Sequence, residues 1–248
     1  MRRFAIAPER VVDGRVTFDA AETRHLARVL RLGPGDTVVA SDGAGHDYTV
    51  RLDAVRPRAT GVVVGMADAG GESPLAITLV QGLPKADKLE TIVRAATELG
   101  VARIVPALTA RTVVRVAERE TPGRVARWQR VAREAAKQCG RRVVPDVTPP
   151  RPLDTCLDEA RGAELALCLW EAEASPLGAV LTDTTQPRRV AILIGPEGGL
   201  EPREVDTARA RGWRVVGLGH RILRTETAAP AIIAILQSRW GDLADGTV

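Results

Sequence analysis

Hydrophobic and polar positions divide the chain into two textures. Residues 1 to about 67 carry short apolar runs broken by turn residues. The runs predict strands at Phe4 to Ala7, Arg15 to Phe18, Thr37 to Ser41, Tyr48 to Val55 and Thr60 to Met66. One helix is predicted among them, Ala21 to Arg31, with Leu26, Val29 and Leu30 on one side and a stop at Gly33-Pro34-Gly35-Asp36. Several short strands separated by such turns imply a small β-barrel. Asp68 to Pro74 reads as a linker.

After Pro74, apolar strand-like runs alternate with helical periodicity. Strands are predicted at Leu75 to Gln81, Val101 to Pro106, Val143 to Val147, Leu165 to Trp170, Arg189 to Ile194 and Trp213 to Leu218, with a final helix behind the last. Alternation of this kind builds an α/β domain around a mostly parallel sheet. The helix from Lys85 to Leu99 aligns Leu89, Ile92, Val93, Ala96 and Leu99 on one stripe and stops at Gly100. A second helix, Pro122 to Cys139, puts Val125, Trp128, Val131, Ala132, Ala135 and Cys139 in one sector and Arg127, Arg130, Arg133 and Lys137 opposite. The resulting domains are 1–70 and 74–248.

Composition sharpens this picture mainly by exclusion. The 248 residues are 45% hydrophobic and 27% charged, ordinary for a folded protein. The N-terminus is too poor in apolar residues for a signal-peptide core, and no run is long enough to span a membrane. Cys139, Cys156 and Cys168 form no C-x-x-C pair, and His25, His46 and His220 are scattered, so neither a disulfide framework nor a metal site is expected. Free thiols fit the cytoplasm. Between Arg111 and Arg142 stand ten basic residues against three acidic ones, an excess larger than the +4 of the whole chain. Such a cluster is either a surface that meets phosphates or a solvated helix face.

Ligands of parallel α/β sheets bind outside the carboxyl ends of the strands, where loops expose backbone amides and helix N-termini. Two loops qualify. Strand Arg189 to Ile194 runs into Gly195-Pro196-Glu197-Gly198-Gly199, and strand Trp213 to Leu218 runs into Gly219 to Ala228 and the terminal helix. Neither is a nucleotide-triphosphate cradle, because no G-K-[ST] follows, and neither matches G-x-G-x-x-G.

The two stretches Ile194-Gly195-Pro196-Glu197-Gly198-Gly199 and Leu218-Gly219-His220-Arg221-Ile222-Leu223-Arg224-Thr225-Glu226-Thr227-Ala228 resemble the RsmE family. So do His25 to Arg31, Lys85 to Lys88, Thr97 to Gly100 and Glu134 to Arg142. The resemblance implies a PUA-like RNA-binding barrel followed by a SPOUT domain with a trefoil knot, working as a homodimer. It implies S-adenosylmethionine as cofactor and N3 of a uridine in small-subunit (16S) ribosomal RNA, naked or in the assembled subunit, as acceptor. Cofactor contacts are then expected from Leu169, Gly195, Pro196, Gly199, Leu218, Gly219, Ile222, Leu223, Thr225 and Ala228, many through backbone atoms, and RNA contacts from Arg28, Arg31, Lys85, Lys88, Arg141 and Arg142.

The methyl donor is already electrophilic, so such an enzyme must align it and activate the acceptor. Uridine N3 must lose a proton, leaving negative charge on the flanking carbonyls. Arg224 is the candidate cation for that charge, and Glu226 or Glu197 the candidate proton acceptor. Other roles stand beside these: Glu226 complementing a helix N-terminus, Arg224 holding a phosphate, Glu197 capping the next helix. Ala231 to Leu236 suits a subunit interface or ordinary core. Two further functions stay open: methylation of another RNA atom such as a ribose 2′-hydroxyl, and ribosome assembly without catalysis.

Overall fold

The structure is a computed structural model that describes residues 2–66, 72–114, 117–172 and 175–244. Its residues fall into two compact units. One comprises 1–72 with 133–144, the other 73–132 with 145–248.

The first unit is built on a sheet of six strands among the described residues: β1 (Arg3–Ala5), β2 (Val11–Val12), β3 (Arg15–Thr17), β4 (Thr37–Ser41), β5 (Asp47–Ala54) and β6 (Thr60–Met66). Their order is β1-β4-β5-β6-β3-β2, antiparallel except for the parallel pair β1 and β4. Phe4, Val16, Phe18, Leu26, Val38, Val50 and Leu52 form its core. Fully burying side chains of this size stabilises by about 1.5–3 kcal/mol each.

The predicted helix here is shorter than the periodicity suggests. Helix α1 (Ala20–Arg24) starts where the Asp19 carboxylate accepts from the Glu22 N–H at 2.7 Å, and gives way to a π turn over His25–Val29. That turn is closed by Leu30 N–H donating to His25 O at 3.0 Å. The wider turn leaves Leu26 fully buried but carries Val29 out to 68% exposure, so Val29 does not share the predicted apolar side. The linker expectation at Asp68 to Pro74 lies partly outside the described residues. Its described end is ordered, with Glu72 accepting from Arg141, Arg142 and Val143.

In the second unit, β7 (Ala76–Gly82), β8 (Val101–Leu108), β9 (Asp146–Val147), β10 (Arg151–Pro152), β11 (Leu165–Leu169), β12 (Ser175–Pro176), β13 (Arg189–Ile194) and β14 (Arg214–Gly217) make one sheet. The order is β10-β8-β7-β13-β11-β14-β12, β9 also pairs with β8, and every pairing is parallel. Strand β13 is central, flanked by β7 and β11. This is why Val190 to Ile194 is apolar without alternation.

Helices α2 (Lys88–Glu98), α3 (Thr121–Cys139), α4 (Leu153–Glu159), α5 (Leu177–Thr182), α6 (Pro202–Ala210) and α7 (Thr225–Trp240) complete the described residues. Leu89, Ile92, Val93 and Ala96 of α2 are buried as their stripe predicts, and Gly100 takes φ +83° just past the helix end. On α3, Trp128, Ala132 and Ala135 are buried, but Cys139 is exposed because the helix ends there. The strand expected over Val143 to Val147 is only two residues long. Val144 N–H instead donates to Gly43 O at 3.0 Å within the first unit. Helix α7 buries Ala229, Ile232, Ile233 and Leu236, while Ile235 stays 41% exposed.

Candidate functional site

Strands β13 and β14 end side by side with β11, and the loops leaving them enclose a cavity of about 510 Å³. Its walls include every residue expected to touch the cofactor: Leu169, Gly195, Pro196, Gly199, Leu218, Gly219, Ile222, Leu223, Thr225 and Ala228. Glu197, Arg224 and Glu226 line it too.

The first loop is compact because its glycines are required. A Cβ on Gly195 would stand 2.8 Å from the Gly199 carbonyl carbon, and Gly199 itself sits at φ +72°. Gly199 N–H donates to Pro196 O at 2.9 Å, and Arg111 Nη1 donates to Gly198 O at 2.7 Å. Glu197 does not cap the helix that follows, since Glu204 accepts from the Glu201 N–H there.

The two loops are tied together from below. Thr225 Oγ1 donates to Gly195 O at 2.8 Å, and Gln81 Nε2, at the end of β7, donates to Thr225 Oγ1 at 2.8 Å and Gly82 O at 3.0 Å. Gln81 is fully buried, and it escaped the sequence analysis. Its signal was a lone amide closing a strand that carries Ile77, Leu79 and Val80, just before Gly82. Arg111, counted only within the basic cluster, escaped as a loop clamp because its partner lies 87 residues away.

Two carboxylates of the cavity converge on one ammonium. Lys88 Nζ lies 3.1 Å from Glu197 and 3.5 Å from Glu226. The hydrogen bond with Glu197, followed by the field of both carboxylates, raises the Lys88 pKa above its ordinary value. Partial burial pushes Glu197 up, but its own backbone N–H, the Lys85 N–H and the Lys88 ammonium outweigh that and leave it lowered. Both Glu197 oxygens accept from the Lys85 N–H, at 3.1 and 3.3 Å. Glu226 differs: apart from the long 3.5 Å contact with Lys88, its buried Oε2 has no hydrogen-bond partner among the described residues. Arg224 caps α7 with its backbone, is exposed, and has no side-chain partner among the described residues.

The expected RNA contacts disperse. Lys88 belongs to the cavity, while Lys85, Arg28 and Arg31 are exposed, Arg31 at φ +55°. Arg141 binds Glu72 at 2.6 Å, and Arg142, 8% exposed, lies 3.2 Å from the buried Asp47. Arg127 pairs with Glu90 at 2.6 Å and Lys137 with Glu22 at 2.6 Å. Arg115 lies outside the described residues. Among the described residues no cluster of three metal-ligating side chains forms, and no helix is long and apolar enough to cross a membrane.

Known proteins match this architecture over nearly its whole length. A family described as RNA methyltransferase domain matches residues 71–237, and one described as RNA methyltransferase PUA domain matches residues 18–58. The chain is 34% identical to the ribosomal RNA small subunit methyltransferase E of Synechocystis, across 94% of this chain and 76% of the relative. It is 31% identical to that of Bacillus subtilis, across 84% and 83%. A crystal structure of the Neisseria gonorrhoeae methyltransferase E bound to S-adenosyl methionine superposes with a TM-score of 0.87 at 35% identity, covering 98% of this chain and 99% of that one. With its parallel α/β unit and its N-terminal PUA-like region, this chain belongs to the ribosomal RNA small subunit methyltransferase E family.

Proposed function

We propose that the protein transfers a methyl group from S-adenosylmethionine to N3 of a uridine in small-subunit ribosomal RNA. The observation that carries this reading is the cavity at the ends of β11, β13 and β14. It combines a buried carboxylate oxygen on Glu226, met only by Lys88 at 3.5 Å, with a cation at Arg224 that is unpaired among the described residues.

The residues present suit the cofactor. About 510 Å³ falls within the usual range of small-molecule pockets, about 300–1,000 Å³. Leu169, Leu218, Ile222, Leu223 and Ala228 offer apolar contacts for an adenine, and backbone groups of Gly195, Pro196, Gly199 and Gly219 offer polar ones. Thr225 holds the loops that carry them. Glu171 and Glu197 put negative charge on the same walls, matching a sulfonium and an amino group. When bound, S-adenosylmethionine supplies an electrophilic methyl.

The chain's own groups must then prepare the acceptor. Glu226 is the better proton acceptor of the two candidates, because its one ion pair among the described residues, Lys88 to Oε2, is long at 3.5 Å, whereas both Glu197 oxygens accept from Lys85 N–H and one also meets Lys88 at 3.1 Å. Lys88 Nζ, 3.5 Å from Glu226 Oε2, fixes where that carboxylate stands. Arg224 is free to stabilise negative charge on a uracil carbonyl as N3–H is lost. RNA is held by exposed cations, Arg28, Arg31 and Lys85 among them; Arg141 and Arg142 act by shaping the 133–144 segment. On this reading 1–70 is the RNA-binding PUA-like domain and 74–248 the SPOUT domain. The order β7-β13-β11-β14 supports a knotted C-terminal segment, and the exposed Ile235 a homodimer.

The test is to incubate the protein and labelled cofactor with small subunits lacking the modification, digest the RNA, and identify the methylated nucleoside by mass spectrometry. N3-methyluridine is expected. A 2′-O-methyl nucleoside would replace the acceptor, and failure to bind S-adenosylmethionine by calorimetry would make the protein an assembly factor.

A further inference from the structure

A second cavity, of about 760 Å³, lies wholly within the first unit, its lining including Arg2, Glu22, His25, Leu30, Lys137 and Gln138. The sequence around it spells a capping box, Asp19-x-x-Glu22, and the Asp19 half works as such a box should. The Glu22 half does not. Instead of returning to the Asp19 N–H, the carboxylate turns inward: Oε1 accepts from Lys137 Nζ at 2.6 Å and from the Ala5 N–H at 3.3 Å.

The other oxygen, Oε2, is buried with no hydrogen-bond partner among the described residues, and His25 Nδ1 is 3.8 Å from it. Glu22 is only 8% exposed. A buried carboxylate oxygen left empty is unfavourable, and a structural ion pair with Lys137 explains Oε1 but not Oε2. Lys137 has three N–H donors and spends one on Glu22. An acceptor and a donor therefore stand side by side, with the half-exposed imidazole of His25 and the side chain of Leu30 to pack a flat ring, and Arg2 exposed nearby for a phosphate.

We propose that this cavity takes one unpaired RNA base that presents a ring N–H beside a carbonyl, guanine or uracil, with Glu22 Oε2 accepting from the N–H and Lys137 donating to the carbonyl. Ring N–H groups of these bases are more acidic than the exocyclic amines of adenine and cytosine, so an ionised carboxylate binds them more strongly. Reading unstacked bases on their Watson–Crick edges is the common mode of single-strand RNA recognition. The proposal rests on the RNA methyltransferase reading above.

The test uses the full chain and fluorescein-labelled RNA pentamers, oligo(A) with guanine, uracil, adenine or cytosine at the centre, read by anisotropy. Guanine or uracil at the centre is expected to bind about tenfold more tightly than adenine or cytosine. Replacing the centre by 1-methylguanine or 3-methyluracil, which removes only the N–H, should abolish the advantage in the wild-type protein, so the result does not depend on a variant folding. Glu22→Gln turns an amide donor into the cavity and should level all four bases. Binding without base preference, a preference that survives N-methylation, or no binding to any pentamer overturns the pocket; the methyl-transfer assay on small subunits decides separately whether the reading it rests on stands.

Discussion

Three side chains in the candidate active site divide its work by what each is already bonded to. Glu197 is committed to Lys85 and Lys88, Glu226 pairs with Lys88 through Oε2, and the Arg224 side chain has no hydrogen-bond or ion-pair partner among the described residues. A general base contributes about 10²–10⁴-fold and a positioned charge about 10²–10³-fold. Glu226→Gln is therefore expected to lower kcat by at least about 100-fold, Arg224→Ala by a similar factor, and Glu197→Gln by less than about tenfold. Single-turnover methyl transfer to unmodified small subunits measures the rates, and calorimetry should show cofactor affinity nearly unchanged in the first two variants. An Arg224→Ala enzyme with wild-type turnover would remove Arg224 from the mechanism, and a Glu197→Gln defect larger than that of Glu226→Gln would reverse the assignment of the base.

At the scale of elements, the question is what holds the 133–144 segment in the first unit. Glu72 accepts from Arg141 Nε and Nη2 at 3.0 and 2.6 Å and from the N–H groups of Arg142 and Val143, both at 3.1 Å. Partial burial raises its pKa, but the Arg141 guanidinium and the two backbone donors win, and the net shift is downward from 4.5. A carboxyl lowered in the folded state contributes stability above its unfolded value and loses it as pH falls through the folded one. Glu72→Gln should thus cost about 1 kcal/mol at pH 7, discounted because the side chain is partly exposed. Thermal melts should show that gap constant above pH 5 and closing below 4.5. A gap independent of pH down to 3 would mean that packing, not charge, supplies the effect.

The same segment shows what a sequence can and cannot reveal. Strand β13 and the α2 stripe were legible because burial on both faces, or on one helix face, leaves a local periodicity. The two ligand loops were legible because strand ends and glycines mark them. The two-residue strands β2, β10 and β12 have no period to read, and the π turn at His25–Val29 shifts the helical phase without any residue announcing it. Pairings such as Glu72 with Arg141 or Gln81 with Thr225 span 69 and 144 residues, so only the fold brings them together.

For the molecule as a whole, that distinction changes the meaning of its charge. The ten basic residues between Arg111 and Arg142 look like a single phosphate-binding surface, yet Arg127, Lys137, Arg141 and Arg142 are paired with Glu90, Glu22, Glu72 and Asp47. Arg142 is nearly buried, while Arg130 and Arg133 of α3 are exposed with no side-chain partner among the described residues. Affinity for single-stranded RNA falls with salt by about 0.7 in log–log slope for each phosphate neutralised. If exposed, unpaired cations make those contacts, Arg130→Ala and Arg133→Ala should each flatten the slope by about 0.7. Arg142→Met should leave the slope unchanged while costing about 3 kcal/mol of stability, because it strips one partner from a buried carboxylate. Anisotropy titrations of a small-subunit ribosomal RNA fragment between 50 and ~300 mM salt decide it, with thermal melts confirming that each variant is folded. A slope that responds to Arg142 but not to Arg130 or Arg133 would show that RNA displaces the Arg142–Asp47 ion pair, and would take Arg130 and Arg133 out of the RNA contacts.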